Sequence, residues 1–100
     1  MGANIAASMI LLRPEVLSGV ILFRAMVPFE PVHLPDLSKK YILLSEGLED
    51  PIVSRQEAER LFGILKESRS KITLKWQNSG HNLTQEDILI AKEWLTSFLY

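Results

Sequence analysis

The 100-residue sequence contains no cysteine, which excludes disulfide bonds and thiolate metal sites. It also lacks an excess of charge of either sign, because 11 lysines and arginines face 12 aspartates and glutamates. A near-neutral chain offers no basic surface of the kind that binds a nucleic-acid backbone. The sequence has no glycine-rich phosphate loop, dinucleotide fingerprint or cluster of metal ligands. We therefore expect no cofactor, no metal and no nucleic-acid partner.

A membrane-spanning segment is also missing from the sequence. The mostly apolar stretch at residues 3–12 is shorter than the roughly 20 residues that a bilayer requires. No basic residues precede it, as they would in a signal peptide. We therefore expect a cytoplasmic protein with no membrane partner. The stretch itself is typical of a helix that is apolar all round, and such a helix has to be buried on all sides.

Three short segments have the pattern of β-strands. The apolar runs at Gly19–Phe23 and at residues 41–44 do not alternate, which is typical of strands covered on both faces. The run at residues 72–76 alternates, as expected of a strand near a sheet edge. Several prolines mark residues 27–38 as a loop.

Two further segments have the pattern of helices with defined starts. Ser54 and Glu57 form a capping box, and apolar residues then recur at helical spacing. Thr84 and Asp87 open a last helix in the same way. Strands that alternate with helices predict a parallel sheet with right-handed crossovers and helices on both faces. The sequence thus predicts one α/β domain over residues 1–100, in the order α-β-β-α-β-α.

Two polar residues follow the ends of predicted neighbouring strands. Asp50 comes after the second strand and His81 after the third. The carboxyl ends of parallel strands are where ligands and catalytic groups gather, and an acid beside an imidazole orients it and stabilises its charged form. A loop aspartate before a proline is also a common turn residue, and a glycine–histidine pair is usually only surface. The residues alone leave both interpretations open.

The stretches GLEDPIVSRQEAERL and WQNSGHNLTQEDILIAKEWL resemble the C-terminal half of an α/β-hydrolase. The resemblance is to the small carboxylesterases grouped with phospholipases and acyl-protein thioesterases. In that family one strand ends in G-x-x-D-P with the triad aspartate, and the next ends in G-H with the triad histidine. The resemblance implies that Asp50 and His81 are the catalytic acid and base. It also implies a partial α/β-hydrolase fold with three parallel strands.

The family's nucleophile elbow, G-x-S-x-G, has a counterpart at the first residues of the sequence. Met1 and Gly2 match the residues that follow the serine, so they would be the remnant of the elbow and of the oxyanion hole. The resemblance thus implies that this sequence starts just after the nucleophile. Ser45 comes nearest to replacing it, but a leucine stands where the motif needs its first glycine. By the family pattern, Arg24 and Met26 would lie at the substrate rim of the active site.

The resemblance implies a serine carboxylesterase that hydrolyses small esters or thioesters through an acyl-serine, with this chain inactive on its own. Two alternatives remain open, namely a non-catalytic self-associating module and one chain of a split hydrolase. The strand at Gly19–Phe23 would present an exposed apolar edge, which invites pairing with another chain. We therefore expect a homodimer or a complementary N-terminal half as the partner.

Overall fold

A computed structural model describes residues 19–29, 31 and 33–99 and contains a parallel β-sheet of three strands. Strand β1 spans Gly19–Phe23, β2 spans Tyr41–Gly47 and β3 spans Lys71–Gln77. The strands lie in the order β1-β2-β3, and their starts are in register because Gly19 pairs with Tyr41 and Tyr41 with Lys71. The carboxyl ends of β2 and β3 therefore finish side by side.

Two α-helices follow β2 and β3, as the sequence predicts. Helix α1 spans Arg55–Glu67 and begins at its cap Ser54, whose hydroxyl accepts a 3.2 Å hydrogen bond from the Glu57 backbone N–H. Helix α2 spans Gln85–Leu99. Within the described residues, no helix is long and apolar enough to cross a membrane. The helix predicted at residues 3–12 lies outside the described part of the chain.

The main hydrophobic core lies between the sheet and α1. Its fully buried side chains come from β1, β2, α1 and the segments after β1: Leu22, Ala25, Leu37, Ile42, Leu44, Leu61 and Leu65. Successive side chains of a strand point to opposite faces, so Ser45 faces away from this core. Ser45 contacts Asp87 of α2, which places the start of α2 against the other face of the sheet. The predicted α/β class, with parallel strands and helices on both faces, is confirmed.

Strand β2 is longer than its apolar pattern predicts. It continues beyond Leu44 through Ser45 and Glu46 to Gly47, and all of these residues are buried. Polar residues normally indicate the end of a buried strand, so the sequence pattern predicts an end of β2 that is too early. Those polar residues lie at the end of the sheet where the candidate site forms.

Candidate active site

Asp50 and His81 form a hydrogen-bonded pair at the carboxyl end of the sheet. The Nδ1 atom of His81 lies 2.8 Å from Oδ2 of Asp50. An ionised carboxylate can only accept hydrogen bonds, so Nδ1 carries the proton and donates a hydrogen bond to Asp50. The Asp50 side chain is 1 % exposed, whereas the His81 side chain is 37 % exposed. The buried Asp50 thus holds the imidazole through Nδ1, and the opposite edge of the ring, with Nε2, can act on a reacting group.

The turn after β2 fixes the carboxylate of Asp50. Its Oδ1 atom accepts hydrogen bonds from the backbone N–H groups of Ile52 at 2.7 Å and Val53 at 3.0 Å. Burial would raise the pKa of Asp50, but the hydrogen bonds from Val53, His81 and Ile52 outweigh burial and hold that pKa below its usual value. Asp50 therefore remains an anion that can stabilise a protonated His81.

Backbone contacts bring the two loops together. The N–H of Leu48 donates to the carbonyl of Gln77 at 2.8 Å, and the N–H of Glu49 donates to that of Ser79 at 3.0 Å. Gly47 makes this approach possible, since a Cβ atom there would lie 2.6 Å from the Ser79 carbonyl oxygen and would also overlap the Gly80 carbonyl. The first position of the G-x-x-D-P motif thus requires glycine for steric reasons.

Arg24 differs from its prediction as a residue of the substrate rim. It follows β1 directly, and its side chain is only 2 % exposed. Its guanidinium forms a two-pronged ion pair with Asp87, with distances of 3.0 Å from Nη1 to Oδ1 and 2.9 Å from Nη2 to Oδ2. The prediction for Arg24 is wrong, because Asp87 draws the guanidinium into the interior. Nothing in the sequence indicates that this acid is buried there.

Asp87 joins this ion pair to the start of α2. Its Oδ2 atom accepts from the backbone N–H of Thr84 at 2.8 Å, and its Oδ1 atom accepts from the Ser45 hydroxyl at 2.6 Å. Burial would raise the pKa of Asp87, but the hydrogen bonds from Arg24, Ser45 and Thr84 outweigh it and lower that pKa to about 2. Ser45 is fully buried and donates to Asp87, so its hydroxyl is not placed to act as a nucleophile.

Glu46 is a second buried carboxyl near the site, and sequence reasoning missed it. It lies on the opposite face of β2 from Ser45 and is 1 % exposed. Burial raises its pKa to about 8, against smaller lowering effects from the charge of Arg24 and the N–H of Ala25. Neither carboxyl oxygen has a hydrogen-bond partner of normal geometry within the described ranges. Glu46 is therefore protonated at neutral pH.

The remaining predicted site residues are placed less fully. Met26 is half-buried in the irregular segment after Arg24, and a role at the substrate rim stays a prediction. Met1 and Gly2, the predicted remnant of the nucleophile elbow, lie outside the described residues.

Comparisons with known proteins bear on this arrangement. MhqD of Bacillus subtilis strain 168, described as a hydrolase, is 39% identical over 93 residues, which are 93% of this chain and 46% of MhqD. A Bacillus cereus carboxylesterase is 38% identical with a TM-score of 0.92, over 96% of this chain and 45% of that protein. A carboxylesterase from Mesorhizobium loti is 26% identical with a TM-score of 0.87, over 94% of this chain and 44% of that protein. No protein-family model matches the sequence.

The similarity extends over nearly the whole chain, yet the chain spans about half the length of the relatives it matches. The parallel sheet, its two covering helices and the TM-score of 0.92 agree with the fold that the sequence motifs imply. The chain therefore has the fold of a small α/β-hydrolase, and its matches correspond to the C-terminal half of such a protein.

Proposed function

We propose that Asp50 and His81 are the acid and base of a serine hydrolase that cleaves small carboxylic esters or thioesters. The observation that carries this proposal is the 2.8 Å contact between His81 Nδ1 and Asp50 Oδ2, formed where two parallel strands end. His81 Nε2 takes the proton of a serine hydroxyl as that oxygen attacks the carbonyl carbon, and then returns it to the leaving alcohol or thiol. Water then attacks the acyl-serine while His81 Nε2 takes its proton, and that proton passes to the serine oxygen as the carboxylic acid is released.

The nucleophile is proposed to come from the half of the relatives that this chain does not cover. The hydroxyl groups of Ser45 and Ser79, near the ends of the two strands that lead to the pair, are engaged elsewhere. The Ser45 hydroxyl donates to Asp87, and the Ser79 hydroxyl accepts from Arg24 at 2.9 Å. The 45–46% coverage of the relatives leaves room for a serine-bearing segment outside the matched region.

Apolar side chains next to the pair in sequence favour a substrate with an apolar group. Ile52, two residues after Asp50, is 62% exposed, and Leu83, two residues after His81, is 52% exposed. Large apolar side chains exposed beside a catalytic pair can bury an acyl or alkyl group of an ester, and each such burial contributes binding energy. We propose a small ester or thioester with an apolar acyl chain.

A chimeric enzyme tests the proposal. This chain replaces the matching half of the Bacillus cereus carboxylesterase, so that the relative supplies its own N-terminal half. Hydrolysis of p-nitrophenyl butyrate is measured for the chimera and for its His81→Gln and Asp50→Asn variants. We expect activity in the parent chimera, and a loss of about 10²-fold or more in His81→Gln.

The exposed His33 supplies the matched control, since His33→Gln removes the other histidine of this chain and should leave the rate unchanged. Circular dichroism and size-exclusion chromatography verify that each variant folds. A folded chimera that is inactive, or one that keeps its rate in His81→Gln, would contradict the proposal.

A second proposal concerns the partner that completes the sheet. Strand β1 pairs with β2 along one edge, and no described strand pairs with its other edge. A groove of about 610 Å³ lies at the amino end of β1 and is lined by Gly19, Val20, Ile21, Lys39, Tyr41, Trp94 and Leu95. An apolar strand with a free edge pairs readily with another strand. We propose that a complementary N-terminal half, or a second copy of the chain, pairs with β1.

Multi-angle light scattering of the purified chain separates these partners. A dimer that Val20→Lys converts to a monomer supports self-pairing through β1. A monomer that binds the N-terminal half of the Bacillus cereus carboxylesterase, and loses that binding in Val20→Lys, supports complementation. A monomer that binds no such half would contradict both.

A further inference from the structure

We infer that Arg24 is a positioning residue that holds the His81 loop in its productive geometry, acting as a buried clamp between β1, that loop and α2. This inference rests on the proposed function of His81. The clamp touches neither the Asp50 carboxylate nor the imidazole in any contact of the structure, so its effect on chemistry has to pass through the backbone.

The contacts of Arg24 surround His81 in the chain. Its Nε donates to the carbonyl of Gly80 at 2.8 Å, and its Nη2 donates to the carbonyl of Asn82 at 3.4 Å. Nη2 also donates to the Ser79 hydroxyl at 2.9 Å. The residues immediately before and after His81 are thus hydrogen-bonded to the same rigid, planar guanidinium. These hydrogen bonds fix the backbone of His81 and therefore the orientation of its imidazole.

The other end of the clamp is anchored to the sheet and to α2. Nη1 of Arg24 donates to the carbonyl of Ser45 at 3.2 Å, and the same guanidinium forms the two-pronged ion pair with Asp87. Asp87 in turn caps α2 through Thr84. A lysine ammonium is a point charge without the planar fork, so it cannot satisfy the carboxylate and the loop carbonyls together.

The backbone of Arg24 is shaped for this role. Its φ angle is 53°, in the left-handed region that non-glycine residues rarely adopt. Its backbone N–H donates to the Ser45 carbonyl at 2.8 Å, so the sheet ladder continues into the residue that carries the turn. A strained backbone of this kind persists where surrounding contacts over-determine it, and here those contacts belong to the clamp.

Imidazole NMR of the intact chain tests the clamp without requiring any hydrolase activity. We expect the Nδ1 proton of His81, which lies against Asp50, to give a low-field resonance that exchanges slowly with water, and Asp50→Asn to assign that signal by removing it. His33 is the only other histidine and is exposed, so it serves as the internal reference. We expect Arg24→Met to speed exchange of the His81 Nδ1 proton by about tenfold or more. We expect Arg24→Lys not to restore it.

Arg69 provides the matched control. It also has a positive φ angle, 71°, but its side chain is exposed. Arg69→Met should therefore leave the His81 signal unchanged. If Arg24→Met does not fold because Asp87 is left unpaired, the double variant Arg24→Met with Asp87→Leu removes both buried charges together. A folded variant of either kind that keeps the slowly exchanging His81 proton would overturn the inference.

The chimera supplies a kinetic readout that separates the clamp from the proposed function. Arg24→Lys should lower kcat by about 10- to 100-fold with little change in KM, because a misplaced base affects the transition state more than substrate binding. An inactive chimera together with an Arg24-dependent His81 signal would remove the proposed function and leave the positioning role supported. An active chimera with unchanged kcat in Arg24→Lys would overturn the positioning role alone.

Discussion

Gly47 and Gly80 lie in direct backbone contact at the carboxyl ends of neighbouring strands, so that a side chain on Gly47 would overlap the carbonyl oxygen of Gly80. The two loops that leave these strands carry Asp50 and His81. The close approach of the two loop backbones lets the short side chain of Asp50 reach an imidazole 31 residues away in sequence.

Replacement of Gly47 by alanine should separate the two loops. The new Cβ would meet the carbonyls of Ser79 and Gly80 and lie 3.2 Å from Arg24 Nε, so the backbone has to shift. We expect a loss of about 1–3 kcal/mol in the free energy of unfolding, measured by urea denaturation, and loss of the low-field His81 signal.

Gly80→Ala is the matched control for this change. A Cβ on Gly80 would meet only the Glu49 carbonyl at 3.8 Å, an ordinary van der Waals distance, and its φ angle is not positive. We expect it to preserve the His81 signal. If Gly47→Ala keeps both stability and signal, the steric account of the motif glycine is wrong.

Asp87 should make the protein sensitive to acid. Its pKa is lowered from 3.8 to about 2 in the folded state, so its ionised form stabilises the fold. That stability is fully present above pH 3.8 and is lost as the pH falls towards 2. The contribution is about 2–3 kcal/mol, obtained from the shift at about 1.4 kcal/mol per pKa unit.

Urea denaturation between pH 2 and 6 measures this dependence. Asp87→Asn should be less stable than the parent at pH 6, and the gap should narrow as the pH falls. Glu86→Gln is the control, because Glu86 lies in the same turn of α2 but is exposed. A constant gap across this pH range would be incompatible with the role assigned to Asp87.

Glu46 should have the opposite kind of pH dependence. Its pKa is raised from 4.5 to about 8 in the folded state, so the fold has to keep a proton that the unfolded chain releases. The contribution of Glu46 to stability is therefore most favourable below pH 4.5 and declines as the pH rises to about 8, at about 1.4 kcal/mol per pH unit.

Glu46→Gln removes this titration and keeps nearly the same shape. We expect the variant to gain stability relative to the parent as the pH rises from 5 to 8, with denaturation by urea as the measurement. Glu49→Gln, at an exposed residue of the following turn, should show no such gain. A parent and variant with parallel pH profiles would show that Glu46 finds a partner in solution.

Gly63 offers a stabilising substitution away from the site. It lies inside α1, and a Cβ there would meet no heavy atom within 4 Å. Alanine restricts the unfolded chain and favours the helix, so Gly63→Ala should stabilise the protein by about 0.5–1 kcal/mol in thermal unfolding. Destabilisation would mean that this face of α1 is covered in solution.

Local patterns in the sequence predicted much of the fold and the central pair. The strand at Gly19–Phe23 and the cap at Ser54 depend on neighbouring residues, and both are confirmed. Asp50 and His81 follow strand ends that parallel pairing has to bring together, so their contact could be anticipated from topology.

The polar groups beneath the site could not be predicted in the same way. Arg24 and Asp87 are 63 residues apart, and nothing in either local sequence indicates that they pair. In the sequence, Glu46 indicates the end of a strand, because charged residues are rarely buried without a partner. Burial of these residues depends on tertiary packing, which hydrophobic periodicity does not describe.

The rate at which a fluorophosphonate labels the serine of the chimera reports directly on the catalytic pair, since labelling depends on activation of that serine by a base. If Asp50 and His81 form that base, His81→Gln should slow labelling by about 10²- to 10⁴-fold, and His33→Gln should not change it. Equal labelling rates for the folded parent and His81→Gln chimeras would contradict the account.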